Sequence, residues 1–169
     1  MIAALALVAF VALQRGVELF YARRNTSRLL AAGGVEAGAE HYPLFILLHA
    51  SWLIALLAYL PRSVEPNGWL VAVFFALQGL RVWAIRSLGP FWTTRLITVP
   101  GAPLVRRGPY RFIRHPNYVV VAGEIAVLPL ALGEPWVALG FSLLNAGLLA
   151  VRIRKEDDTL SERQPTEHA

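Results

Sequence analysis

The sequence contains no cysteine and has few charged residues for its length. Because its 169 residues include no Cys, disulfides, thiolate metal ligands and cysteine nucleophiles are all excluded. Only 16% of the residues are charged and 56% are hydrophobic, with a mean hydropathy of +0.52. Soluble domains average about 25% charged residues. The composition therefore indicates an integral membrane protein, and the length suits a single domain.

The sequence also lacks the common signatures of nucleotide and metal sites. It contains no Gly-x-Gly-x-x-Gly and no phosphate-binding P-loop. Its four histidines, His41, His49, His115 and His168, have no recognisable metal-ligand spacing, so no metal is predicted. The basic residues are not interleaved with aromatic residues as in an RNA-binding face, so nucleic acid is not a predicted partner.

Apolar segments predict five transmembrane helices, because a helix needs about 20 mostly apolar residues to cross a bilayer. The predicted spans are residues 2–21, 43–60, 69–85, 118–132 and 135–151, of which the fourth is short. Turn-forming residues at 61–68 and 133–135 join two pairs of spans into hairpins. We therefore predict an all-α fold, an integral membrane bundle of five transmembrane helices. It forms a single domain over residues 1–160, followed by a polar tail at 161–169.

The basic residues fall on one side of such a bundle. Thirteen of the 16 Lys and Arg residues lie after span one, between spans three and four, or after span five. The opposite side has only Arg62, while Arg15 and Arg81 lie within spans. By the positive-inside rule, this distribution predicts an N-terminus outside the cell and a C-terminus in the cytoplasm.

The long loop between spans three and four has the densest group of polar and turn-forming residues. It runs from residue 86 to residue 117 and contains apolar positions of its own. Residues 96–99 are predicted to form either a short strand or an interfacial segment. Loops of this length are usually functional when they are structured. Residues 108–118 therefore predict a site for a polar, charged ligand at the membrane face.

Two interpretations of the segment around His115 are open from the residues alone. Pro116 suits the first turn of span four, whose N-terminus would offer free N–H groups and partial positive charge to a ligand. Alternatively, the segment is a basic anchor for lipid headgroups, with Tyr118 as an interfacial residue.

The charged stretch after span five also allows two interpretations. It is either a solvated helical extension with Arg152–Glu156 and Arg154–Asp158 ion pairs, or a segment whose Glu156 turns back toward His115.

Several ionisable side chains lie within the predicted spans, where they are costly unless they face the bundle interior or a wet cavity. Arg15 and Glu18 are spaced for a local ion pair. Glu124 is predicted to lie near Arg81, and a structural ion pair and a substrate contact both remain open there. We interpret His49 as a hydrogen-bonding residue between helices.

Three segments together resemble the isoprenylcysteine carboxyl methyltransferase family. They are Gly108-x-Tyr110, Arg114-His-Pro-x-Tyr118, and Arg152 to Leu160 with its acidic pair. The resemblance covers roughly residues 88–160. In the N-terminal half, Arg23-Arg-Asn25 and Glu40-His-Tyr-Pro43 resemble the small bacterial branch of that family. These integral membrane enzymes transfer a methyl group from S-adenosylmethionine. The resemblance thus implies an O-methyltransferase of the bacterial inner membrane.

The resemblance also implies which residues form the site. The implied S-adenosylmethionine-binding residues are Gly108, Tyr110, Arg114, His115, Pro116, Tyr118 and Glu156. Arg152 would lie near the reacting centre, and the implied catalytic residues are Arg152, Glu156 and His115. A carboxylate acceptor needs no base, whereas a phenol or enol would benefit from one, for which His115 and Glu156 are the candidates.

The implied partners are membrane lipids and a lipophilic or lipid-modified methyl acceptor, while dimer formation stays open. One alternative function is that of an NADPH-dependent membrane reductase of related architecture, which has a similar Arg-His-Pro string but is usually longer. Another is a non-catalytic membrane protein that uses its basic loop to bind anionic lipids.

Overall fold

The described part of the chain contains five α-helices, three short 3-10 helices and a two-stranded sheet. The computed structural model describes residues 1–101 and 105–161, with side chains as far as Asp157. The helices are α1 (Ile2–Ala31), α2 (Tyr42–Ala58), α3 (Gly68–Leu88), α4 (Pro116–Ala131) and α5 (Pro135–Ser161). The strands are β1 (Val35–Ala37) and β2 (Leu96–Thr98). The predicted all-α bundle is confirmed, and residues 96–98 form a strand.

Four of these helices are long and apolar enough to cross a membrane. They are α1, α2 together with the turn before it, α3 and α5. The remaining helix, α4, has 16 residues, whereas a full span needs about 20. α4 packs mainly against α3 and α5, and half of its residues are buried. The chain is thus an integral membrane protein in which the shortest helix is central.

Two helices extend beyond the predicted spans. α1 continues past residue 21 to Ala31, and α5 continues past residue 151 to Ser161, the first residue of the predicted tail. Hydropathy marks where a helix leaves the apolar layer, not where its backbone hydrogen bonds end. The rest of the predicted tail lies outside the described residues.

A compact apolar core fills one end of the bundle. Its largest fully buried side chains are Trp52 and Leu56 on α2, Phe74 on α3, and Ile125 and Leu128 on α4. These residues come from the late part of α2, the early part of α3 and the late part of α4, so they share the end opposite the long loop. Close packing there leaves the loop end of the bundle for polar groups.

Charged side chains on α1, α3 and α4 meet in the middle of the bundle. Glu124 Oε1 accepts hydrogen bonds from Gln78 Nε2 at 2.7 Å and Arg81 Nε at 2.8 Å, and its other oxygen pairs with Arg81 and Arg15. Glu18 accepts from Arg81 at 2.9 Å and from Arg15 at 3.0 Å. The predicted Arg81–Glu124 and Arg15–Glu18 contacts are confirmed. Arg15, Glu18, Arg81 and Glu124 form a charge-balanced group, the central ion cluster.

The long loop is fastened to α1 by a buried amide. Asn25 Nδ2 donates to the carbonyl oxygens of Trp92 at 2.8 Å and Gly89 at 3.2 Å, and Asn25 is fully buried. Tyr21 also donates to the Gly89 carbonyl, and its ring stacks on Trp92. Further along, β2 pairs antiparallel with β1, which follows α1. These contacts hold the loop across the ends of the helices.

Removing one charge of the central ion cluster should destabilise the bundle. Glu124→Gln keeps the side-chain shape but leaves Arg15 and Arg81 with a single carboxylate, and breaking a buried ion pair costs about 3–5 kcal/mol. We expect a lower thermal unfolding midpoint in detergent. Glu65→Gln, the same change on an exposed loop residue, is the control and should leave the midpoint unchanged. Equal midpoints for both variants would contradict this role.

Candidate functional site

A cavity of about 1040 Å³ lies between the helix bundle and the long loop. It extends from Arg15 and Arg81 of the central ion cluster to the start of α4 and the end of α5. Ligand pockets commonly measure about 300–1000 Å³. The cavity is therefore large enough for a nucleoside-sized ligand together with part of a second molecule.

A hydrogen-bonded set of three side chains joins α4 to α5 at the loop end of the cavity. The Tyr118 hydroxyl donates to Glu156 Oε2 at 2.5 Å and accepts from Arg152 Nε at 3.0 Å. Arg152 and Glu156 are one helical turn apart, and the Tyr118 oxygen lies between them. Glu156 thus turns toward the start of α4, one of the two predicted arrangements. The predicted Arg154–Asp158 pair lies outside the described side chains.

His115 lies beside this set without a close hydrogen bond. Its ring stacks on Tyr118, with centroids 5.2 Å apart. Its Nδ1 is 3.5 Å from Glu156 Oε2, and its Nε2 is 3.5 Å from Asp157 Oδ1. Both distances exceed the usual length of a hydrogen bond. His115 is nevertheless mostly buried, so packing against Tyr118 holds its ring.

Three buried polar atoms in this region lack any hydrogen-bond partner. They are His115 Nε2, Asn117 Oδ1 and Asp157 Oδ1, and all three residues line the cavity. Buried polar atoms are satisfied in the large majority of cases. One ring nitrogen and two oxygens that lack a hydrogen bond are thus grouped on one cavity wall, which favours this wall as the position of a polar ligand.

Tyr110 contributes a protonated hydroxyl to the same wall. Burial, and secondarily the Glu156 carboxylate, raise the pKa of Tyr110 above its usual range. The phenol is therefore neutral at physiological pH and can donate a hydrogen bond to a ligand.

The structure brings most of the predicted site residues to the cavity. Those that line it are Tyr110, Arg114, His115, Tyr118, Arg152 and Glu156. Arg114 is largely exposed, and its guanidinium is 3.6 Å from Asp157. The other two predicted residues lie behind the cavity wall, where Pro116 is the buried first residue of α4 and Gly108 contacts α3.

Gly108 has a backbone conformation and a close contact that a residue with a side chain could not adopt without strain. Its φ is +60°, in the left-handed region. A Cβ at this position would lie 1.9 Å from Ser87 Oγ on α3. The neighbouring Arg107 Nε donates to the Ser87 carbonyl at 2.7 Å. Gly108 therefore positions the segment that leads to Tyr110 and His115.

Other cavity residues were not predicted from the sequence. Arg152 Nη2 donates to the Thr94 carbonyl at 2.9 Å, and its guanidinium lies 5.2 Å from the centre of the Phe45 ring. The Tyr42 hydroxyl is hydrogen-bonded to Thr94 Oγ1 at 3.1 Å. Thr94 and Phe45 belong to no motif, and only the packing of α2 and the loop against α5 brings them to Arg152.

The sequence model of the isoprenylcysteine carboxyl methyltransferase family matches residues 70–162, more than half of the chain. The chain belongs to the isoprenylcysteine carboxyl methyltransferase family. The match includes α3, the long loop, α4 and α5, which contain every predicted site residue. The family implies methyltransferase activity in a membrane protein.

Two bacterial proteins are similar to this family member over most of their length. The uncharacterized protein YpbQ of Bacillus subtilis (strain 168) is 41% identical over 161 residues, which cover 92% of this chain and 95% of YpbQ. An uncharacterized protein of Haemophilus influenzae is 26% identical over 149 residues, 84% of this chain and 86% of its own. No solved structure matches the chain.

The close approach of Gly108 to α3 can be separated from its backbone conformation. Gly108→Ala introduces both a clash with Ser87 and a residue at positive φ, whereas Gly101→Ala introduces only the latter, since nothing lies within 4 Å of that position. We expect Gly108→Ala to lower the thermal unfolding midpoint and to increase proteolysis of the loop much more than Gly101→Ala. Similar behaviour of the two variants would show that the contact with Ser87 is unimportant.

Proposed function

We propose that the protein is an S-adenosylmethionine-dependent O-methyltransferase that acts on a lipophilic acceptor at the cytoplasmic face of the membrane. The observation that carries this proposal is the group of buried polar atoms without a hydrogen bond around His115 and Asp157, in a member of a family of membrane methyltransferases. The acceptor oxygen is that of a carboxylate, a phenol or an enol.

The residues at the loop end of the cavity suit the chemical groups of S-adenosylmethionine. Glu156 and Asp157 offer carboxylate oxygens to its ammonium group and hydroxyls. Arg114 and His115 offer N–H donors to its carboxylate, and Tyr110 offers an aromatic face and a hydroxyl donor. When bound, S-adenosylmethionine supplies an electrophilic methyl group. Gly108 and Pro116 were predicted to bind S-adenosylmethionine. We assign them a positioning role instead, because they fix the backbone of the segment that contains Tyr110 and His115.

Arg152 is placed to orient the acceptor. Its guanidinium is fixed by the Tyr118 hydroxyl, the Thr94 carbonyl and the Phe45 ring. No carboxylate among the described side chains forms a salt bridge with it, so its remaining N–H groups can bind an acceptor oxygen. Methyl transfer is an in-line displacement that depends on alignment of the two reactants, which a fixed guanidinium provides.

The cavity offers separate routes to a polar donor and an apolar acceptor. The positive-inside rule supports a cytoplasmic position for the loop end of the cavity in a bacterial inner membrane, because the basic residues lie near the long loop. A polar methyl donor would enter from there. Apolar lining residues such as Phe45, Ile46 and Leu53 on α2 give a lipophilic acceptor a route from the bilayer.

Replacing His115 should weaken cofactor binding without unfolding the protein. We expect the purified wild-type protein to bind S-adenosylmethionine and S-adenosylhomocysteine in detergent, measured by calorimetry, and His115→Ala to weaken both at least tenfold. His41→Ala, on the α1–α2 connection, should bind like the wild type. Binding of NADPH in place of both compounds would support the reductase alternative and contradict the proposal.

Glu156 distinguishes a cofactor site from a lipid anchor. A protein that uses its basic loop only to bind anionic lipids should tolerate Glu156→Ala, whereas loss of this carboxylate should abolish transfer of a tritiated methyl group to a lipid extract of the host. Glu40→Ala removes an exposed carboxylate from the α1–α2 connection and should leave transfer intact. Full activity of Glu156→Ala would exclude the proposed site, and identification of the labelled lipid would name the acceptor.

A further inference from the structure

Two apolar side chains are exposed on the segment that leads into α4. Phe112 is 77% exposed and Ile113 is 40% exposed, and neither residue lines the cavity. They follow a short 3-10 helix at Gly108–Arg111 and precede His115, which belongs to the cavity wall. An exposed apolar patch rimmed by polar residues is typical of a contact with a protein or a membrane. The proposed methyl-donor site does not explain this patch.

The segment is attached to α3 near the end of its apolar span. Gly108 packs against Ser87, which lies close to the end of the apolar span Gly68–Phe91. Trp83, one turn earlier on α3, is 48% exposed, and its Nε1 would be 3.1 Å from a Cβ at Gly108. Tryptophan is enriched at the boundary between lipid and water. The contacts with Ser87 and Trp83 therefore place the segment at the bilayer surface.

Two arginines accompany the exposed apolar residues. Arg107 is exposed, and its Nε donates to the Ser87 carbonyl at 2.7 Å. Arg111 is also exposed, and its guanidinium lies 5.9 Å from the centre of the Phe112 ring. Among the described side chains, no carboxylate forms a salt bridge with either arginine. A guanidinium matches the geometry of a phosphate group, so the charges beside the patch suit an anionic lipid headgroup.

The size of the patch favours a bilayer over a protein as its partner. An aromatic side chain buries about 150–250 Å², whereas a stable protein interface takes about 800 Å² from each partner. Phe112 and Ile113 together are too small for such an interface. In a bilayer, the same two side chains can enter the apolar layer while Arg107 and Arg111 stay at the level of the phosphates.

We propose that residues 107–113, the anchoring segment, bind an anionic phospholipid. Phe112 and Ile113 insert between the acyl chains, and Arg107 and Arg111 contact the phosphate of the headgroup. The two interpretations of the region around His115 then apply to different parts of it, because His115 and Tyr118 line the cavity whereas the anchoring segment faces lipid. This contact does not depend on a bound methyl donor, so it can be tested without one.

A single fluorescent label tests both parts of the proposal. Because the chain contains no cysteine, Phe112→Cys can carry the only label. The labelled protein is reconstituted in phosphatidylcholine bilayers that contain a small, equal mole fraction of either phosphatidylcholine or phosphatidylglycerol with a quenching nitroxide on one acyl chain. Leu143→Cys on α5, where Leu143 is 66% exposed, is the lipid control, and Glu65→Cys on the exposed α2–α3 connection is the water control.

We expect the nitroxide lipids to quench the label at position 112 nearly as strongly as at position 143, and much more strongly than at position 65. Quenching at 112 that is no stronger than at 65, as for a segment that binds a soluble protein, would overturn the insertion of Phe112.

The headgroup contact predicts a difference between the two lipids. One arginine near an anionic lipid attracts it by roughly fivefold. At position 112, phosphatidylglycerol should therefore quench more than phosphatidylcholine, whereas at position 143 the two should quench equally. Arg111→Gln should at least halve the preference at 112, and Arg62→Gln, at the other end of the bundle, should leave it unchanged. No preference at 112, or one that Arg111→Gln does not lower, would overturn the phosphate contact.

Trypsin cleavage tests the native apolar side chains. In bilayers with phosphatidylglycerol, the double variant Phe112→Ser, Ile113→Ser should be cleaved after Arg111 several-fold faster than the wild type, because its anchoring segment no longer inserts. Cleavage after Arg24, on the exposed end of α1, is the internal reference and should not change. An unchanged thermal unfolding midpoint in detergent would show that the variant is folded. Equal cleavage after Arg111 in both proteins would contradict the proposal.

Discussion

The carboxylate of Glu124 is the contact on which the arrangement of the bundle depends. It joins α4 to Arg81 of α3 and Arg15 of α1, and Gln78 completes its hydrogen bonds. Ionised groups at membrane depth are costly, and a buried ion pair often adds little net stability compared with apolar residues. The Glu124 contacts instead specify how the helices are arranged, because α1, α3 and α4 must each adopt one rotation and one height for these charges to meet.

The cavity follows from this arrangement. Apolar packing closes one end of the bundle, and the cavity begins at Arg15, Glu18 and Arg81 of the central ion cluster. The buried Asn25 amide then holds the long loop across the other end by two backbone carbonyls. The resulting cavity is lined by residues from all five helices and the loop. It combines a polar, unsatisfied wall around His115 with apolar surface from α2, as two unlike ligands would require.

Local patterns in the sequence predicted the parts of this structure that depend on local chemistry. Hydropathy gave the five helices, because apolar composition determines which segments enter a membrane. The Arg-His-Pro-x-Tyr string and Glu156 were identified as one site, and the structure places them together. Thr94 and Phe45 carry no such signal, since they reach Arg152 only through packing between segments distant in sequence. The continuation of α1 to Ala31 was missed because a helix that leaves the apolar layer no longer needs apolar residues.

The shortness of α4 affects how the protein would meet its acceptor. Its 16 residues span about 24 Å at 1.5 Å per residue, against an apolar layer of about 30 Å. The far end of α4 is tied to the start of α3 by a hydrogen bond from Asn67 to Ala131. The helix is thus about 6 Å shorter than the layer, so the ligand site that we propose at its opposite end, with His115 and Tyr118, would lie below the headgroups. An acceptor dissolved in the bilayer would reach this depth by lateral diffusion alone. Its relevant concentration is its mole fraction among the lipids, so added lipid would dilute the acceptor and slow the reaction at constant bulk concentration.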